Sequence, residues 1–172
     1  MDPAAMSHGP PMDSPAPPRE LKFLTPEEAT EVEAISARII PGDGTPGARE
    51  AGVVWFIDWA LTDFTNDAQP MVRAGLATLA TDVAAKHPGR TLFSALTDAE
   101  QDEFLRGYEE QDLFQFLRFG TIAGMFALPK YGGNANYVGW ELIGQARGYE
   151  FKPPFGWYDR PENQRALLGR VL

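Results

Sequence analysis

From Leu21 onward, apolar residues recur three and four positions apart, a period that predicts helices rather than strands. The first stripe, Val32, Ile35 and Ile39, follows Thr25-Pro26-Glu27-Glu28. There the threonine suits a helix cap, the proline the first helical position, and Glu28 closes a capping box. Pro41-Gly42 ends this helix. A second helix is expected from about residue 45 to 61, with Ala51, Val54, Trp55 and Leu61 on a stripe that Trp59 widens. After the polar residues 65–69, Pro70 opens a third helix with stripe Val72, Leu76, Leu79 and Val83, stopped by His87-Pro88-Gly89. Thr97-Asp98-Ala99-Glu100 repeats the capping box and starts a fourth, carrying Phe104, Leu105 and Tyr108. Residues 113–128 are apolar nearly all round, which marks a central buried helix. Residues 129–134 form a loop by composition, and a short helical piece is expected around 137–143. No run sustains an alternation of period two, so the predicted fold class is all-α: a compact helical bundle of about five to six helices.

The two ends read differently. Residues 1–20 carry Pro3, Pro10, Pro11, Pro15, Pro17 and Pro18 and almost no large apolar side chains, so a disordered tail is expected there. Residues 21–172 are expected to form a single helical domain. Within it, the stretch 148–157 mixes glycine, proline and aromatics, and predicts an irregular aromatic C-terminal segment. The tail has neither an apolar h-region nor a twin-arginine pair, so no export signal is expected of it. No stretch reaches the roughly 18–20 apolar residues that a bilayer span requires.

Composition narrows the function classes. With Lys plus Arg at 15 and Asp plus Glu at 24, the net charge of −9 disfavours nucleic acid and anionic membrane surfaces as partners. The absence of cysteine removes disulfides, thiolate metal sites and covalent haem attachment. Only His8 and His87 are present, one in the tail and one at a helix end, and no G-x-S-x-G nucleophile motif occurs. Residues 42–47 match G-x-G-x-x-G, but a dinucleotide loop needs a strand before it and a parallel strand after its helix. Here a capped helix precedes it and a polar loop follows, so a helix–helix connection competes with a nucleotide-binding enzyme. The acidic group Asp98, Glu100, Asp102, Glu103, Glu109, Glu110 and Asp112 reads as a solvated face, since no Glu-x-x-His partner accompanies it. Aromatics make up 12% of the chain, and Tyr131, Tyr137, Trp140, Phe151, Phe155, Trp157 and Tyr158 cluster late. They suit either a partner surface or a lid packed on the chain itself.

Two stretches carry a resemblance. Phe23-Leu24-Thr25-Pro26-Glu27-Glu28, the run from Ile39 through Gly47 to Val53 ("IIPGDGTPGAREAGV") and Phe56-Ile57-Asp58 form the first. Phe116-Leu117-Arg118, Thr121, Gly124-Met125-Phe126, Pro129-Lys130-Tyr131-Gly132-Gly133-Asn134 and Gly139-Trp140 form the second. Together they resemble the gluconate 2-dehydrogenase subunit 3 family. That resemblance implies a non-catalytic accessory subunit of a FAD-dependent sugar or gluconate dehydrogenase complex, supporting folding, stability or export of the large subunit. The large flavoprotein, of the glucose–methanol–choline type, would hold FAD, and a cytochrome c subunit often passes electrons on. No catalytic residue, metal or cofactor is expected in this chain. Pro129, Tyr131, Gly132, Gly133, Asn134 and Trp140 are expected to form a partner interface or a structural loop. Many members carry a twin-arginine signal where this sequence has its proline-rich tail, leaving two expectations: a periplasmic passenger of the partner, or a cytoplasmic complex. A nucleotide-binding enzyme using Gly42 to Gly47 and a self-associating helical homodimer are the alternatives.

Overall fold

The computed structural model describes residues 19–145 together with Arg160 and Asn163. The expectations for a disordered tail up to residue 18 and an irregular aromatic segment at 148–157 lie outside these residues. Six helices and no strand occur among the described residues. They are α1 (Pro26–Ile39), α2 (Val53–Thr62), α3 (Gln69–Lys86), α4 (Asp98–Arg106), α5 (Asp112–Phe126) and α6 (Val138–Leu142). Short 3₁₀ turns at Asn66–Ala68, Phe93–Ala95, Pro129–Tyr131 and Ala135–Tyr137 join them. The fold is all-α, as the periodicity predicts.

Both capping boxes form. The Glu28 N–H donates to Thr25 Oγ1 and the Thr25 N–H to the Glu28 carboxylate, and Thr97 with Glu100 repeats the pair at α4. The stripe of α3 is buried at all four positions, Val72, Leu76, Leu79 and Val83. Helix α5 packs against α1, α2, α3 and α6 and so runs through the middle of the assembly. Gly120 and Gly124 lie on its inner face against Ile57 and Phe56 of α2, where small residues let the two helices approach closely.

Two expectations need correction. The second helix starts at Val53, not near residue 45. Gly52 sits at φ +67, outside the helical region, and the chain before it folds back so that the Ala48 N–H donates to the Ile40 carbonyl at 2.9 Å. Nor is α5 buried all round: Phe119 is 66% exposed and Ile122 43%. Its neighbours cover the side carrying Leu113, Leu117, Thr121 and Met125 and leave the opposite side open.

The buried polar groups tie distant segments together. Asp58, in the middle of α2 and only 2% exposed, accepts from the N–H groups of Lys22, Phe23 and Leu24 at 2.7, 3.0 and 2.8 Å. The segment leading into α1 is therefore pinned to α2 by one carboxylate. Thr121 of α5 donates to Ser36 of α1 at 3.0 Å, and Glu31 accepts from Phe93 and Ser94 N–H at the start of a 3₁₀ turn. Among the described residues no buried side-chain nitrogen or oxygen lacks a hydrogen-bond partner.

Ion pairs at the α1–α4 contact set an acid limit. Arg38 grips Asp102 through Nε and Nη2 at 2.7 and 2.8 Å and reaches Asp98 at 2.8 Å. The Arg38 contact lowers the pKa of Asp102. The Thr97 N–H and hydroxyl, with help from Arg90, pull Glu100 down to about 2. Folded values below the unfolded one mean that the ionised forms favour the fold. That contribution is complete above the unfolded carboxylate range of about 3.9–4.3 and is lost as pH falls towards the folded values. The melting temperature should therefore drop between about pH 4.5 and 2. Glu100→Gln should flatten that drop and lower the melting temperature at pH 7; an unchanged acid limb would contradict this assignment.

Candidate functional site

The last carbonyls of an α-helix have no partner within it and must find one elsewhere. At the end of α5 the residues that follow supply the partners. Trp140 Nε1 donates to the Phe126 carbonyl at 2.7 Å, and Asn134 Nδ2 to the Ala127 carbonyl at 3.0 Å. The Asn134 Oδ1 accepts from the Gly139 N–H at 2.8 Å, so one side chain bridges the end of α5 and the start of α6. Asn134 is fully buried with φ +46, a left-handed conformation that asparagine tolerates better than most residues.

The glycines here are contact points with backbone. A Cβ on Gly133 would run into the carbonyl of Gly124, and one on Gly139 into the carbonyl of Met125. Gly132, at φ +99, lies against the Trp55 backbone of α2. Pro129 is buried at the start of its 3₁₀ turn, and Tyr131 stacks on Trp59 with ring centroids 4.5 Å apart and planes 30° from parallel. Lys130 lies over the Tyr131 ring at 4.8 Å. All six residues singled out in the sequence thus gather around the C-terminal end of α5, and the polar atoms of Asn134 and Trp140 act on the chain's own backbone.

The two sequence stretches meet at this place. The Ala135 N–H donates to the Ala51 carbonyl at 2.9 Å, joining the loop after α5 to the turn before α2. In that turn the Glu50 carboxylate accepts from the Gly47 N–H at 2.8 Å, and its oxygen would lie 2.9 Å from a Cβ on Gly42. Hydrogen bonds from its own N–H and from Gly47 hold Glu50 below the usual carboxylate range. The G-x-G-x-x-G stretch therefore follows a helix rather than a strand and wraps a carboxylate of its own. A pyrophosphate placed on these N–H groups would face like charge, which argues against the dinucleotide reading.

Three of the seven acidic residues of the group at 98–112 enter ion pairs, and Glu109, Glu110 and Asp112 stand exposed. Asp98 and Asp102 bind Arg38, Glu100 binds Arg90, and His87 Nδ1 lies 3.9 Å from Glu100. Among the described residues no group of three His, Asp or Glu side chains is placed to hold a metal ion. No helix among them is long and apolar enough to cross a membrane. An open groove of about 530 Å³ runs between α1, α4 and α5, lined by Arg38, Asp102, Arg106, Phe114 and Arg118 among others. Of the late aromatics, Trp140 is buried and Tyr137 half-buried at φ +62, with their rings 5.3 Å apart. Phe151, Phe155, Trp157 and Tyr158 lie outside the described residues. Sequence reasoning assigned no role to Asp58; its signal was a single carboxylate inside the apolar run Val53-Val54-Trp55-Phe56-Ile57-Asp58-Trp59.

No curated protein and no solved structure matches the chain. The family model described as gluconate 2-dehydrogenase subunit 3 matches residues 26–148, a span that takes in the six helices of the described residues and, from Pro26 onward, both stretches that meet beside α5. Matched over most of its length and folded around those two stretches, the chain belongs to the gluconate 2-dehydrogenase subunit 3 family.

Proposed function

We propose that this chain is the non-catalytic accessory subunit of a FAD-dependent sugar or gluconate dehydrogenase complex. FAD and the chemistry reside in a large flavoprotein of the glucose–methanol–choline type, and a cytochrome c subunit accepts the electrons. The observation that carries this reading is the family match across the six helices of the described residues. The use of the motif's polar groups on the chain's own backbone agrees with it, because Asn134 and Trp140 brace the end of α5 rather than face a substrate. On this reading the small subunit stabilises the large one by giving it a rigid helical surface to fold against.

The test is an activity split. Dye reduction with gluconate and related sugars is measured for the purified chain, for the flavoprotein alone and for the two co-expressed. The chain alone should be colourless and inactive, and co-expression should raise the yield of soluble, flavin-loaded dehydrogenase several-fold. Turnover by the chain alone would overturn the proposal, as would a flavoprotein equally abundant and active without it.

A further inference from the structure

All three non-glycine residues with positive φ among the described residues fall within four consecutive positions: Asn134 at +46, Asn136 at +55 and Tyr137 at +62. Gly132, at +99, lies two residues before them. Asparagine tolerates the left-handed region, but a bulky residue such as Tyr137 is an outlier there, and such residues persist only where their surroundings over-determine them. Here the surroundings do so through hydrogen bonds that reach outside the segment. The Ala135 N–H donates to the Ala51 carbonyl, Asn134 Nδ2 to the Ala127 carbonyl and Trp140 Nε1 to the Phe126 carbonyl. The apolar hold is small by comparison. Helix α6 is five residues long, packs mainly on α5 and the turn before it, and buries only Gly139 and Trp140. Leu142 and Ile143 at its end are exposed.

Strained backbone held by a few directional bonds and little apolar contact is the combination that opens locally, below the free energy of global unfolding. We propose that residues 132–142 form a strain-loaded latch that opens as one unit while α1 to α5 stay folded. The bonds share one fate because Asn134 joins them. Its Oδ1 accepts from the Gly139 N–H, its carbonyl from the Tyr137 N–H, and its Nδ2 donates to Ala127. Losing one end of that chain of bonds relieves the left-handed residues and withdraws support from the other end. In the closed state Trp140 is buried and the Phe126 and Ala127 carbonyls are capped. In the open state the indole and those carbonyls face water, and the turn before α2 loses its bond at Ala51. The latch thus links the end of α5 to the turn before α2 and gives the chain two states that a binding event can select between.

The experiment is native-state hydrogen exchange of the full chain at neutral pH. NMR follows the Ala135, Tyr137 and Gly139 amides and the Trp140 indole N–H, with the Leu79 and Leu117 amides as the core reference. The four latch protons should report one common opening constant, at least about tenfold larger than that of the core. Asn136→Gly, at an exposed position where glycine takes positive φ without strain, should lower that constant about threefold. Trp140→Phe, which removes the indole donor, should raise it about tenfold at all three amides together. Should Trp140→Phe fail to fold, the wild type and Asn136→Gly decide. Latch protons that exchange only as slowly as Leu79 and Leu117 overturn the proposal, as do latch protons with unrelated opening constants. An Asn136→Gly variant that opens as readily as the wild type, or more so, shows that strain does not load the latch and overturns it too.

Discussion

Asp58→Ala should destabilise the chain by about 3 kcal/mol, since it removes three charge-assisted hydrogen bonds and strands the buried Leu24 N–H. The carboxylate is 2% exposed and holds Lys22, Phe23 and Leu24 by their N–H groups, so nothing nearby replaces it. Leu24 is itself buried in the core, and losing the anchor frees the whole entry to α1. Asp58→Asn should cost about half as much, because the amide oxygen can still accept while its NH₂ opposes another donor. Urea unfolding measures both, and the midpoint should fall with little change in slope. A loss for Asp58→Ala below about 1 kcal/mol would show that the entry segment detaches freely and that the carboxylate is not its anchor.

Gly139→Ala should be comparably damaging, about 3–5 kcal/mol or outright failure to fold, which places it among the exceptional single substitutions. The added Cβ would overlap the Met125 carbonyl, so α6 must move away from α5. That movement breaks the Asn134–Gly139 bond and the Trp140–Phe126 bond together and leaves buried polar groups unpaired. Gly133→Ala acts in the same way on the Gly124 carbonyl. Gly89→Ala is the contrast: it has φ +87 but nothing within 4 Å, so only the backbone strain of about 1 kcal/mol applies. Thermal melts of the three variants separate contact from conformation. Equal losses at residues 89 and 139 would contradict the close packing of α6 on α5.

Where a signal is local, the sequence carries it. Thr25 with Glu28 and Thr97 with Glu100 mark helix starts because a capping box is made within four residues. The α3 stripe is legible because a buried helical face repeats with the helix period. What depends on distant partners is not legible in the same way. The start of α2 is set by a fold-back onto Ile40 and by the left-handed Gly52, so the helical pattern of residues 45–52 misleads. The open side of α5 looks like core in sequence, since hydrophobicity alone does not say how many neighbours a helix has. Pro129, Tyr131, Gly132, Gly133, Asn134 and Trp140 could be singled out by composition and resemblance. Their grip on the end of α5, and the meeting of their loop with the turn before α2, emerge only from the fold.

The central claim is that this acidic helical chain serves a flavoprotein dehydrogenase and does no redox chemistry itself. Size-exclusion chromatography of the co-expressed pair, monitored for protein mass and flavin absorbance together, tests it most directly. The account predicts one peak holding both chains in fixed stoichiometry with all the flavin bound to the larger one, and a flavin-free peak for this chain alone. Separate elution of the two chains at concentrations where the flavoprotein is folded and active, or flavin travelling with the 18.9 kDa chain by itself, would contradict it.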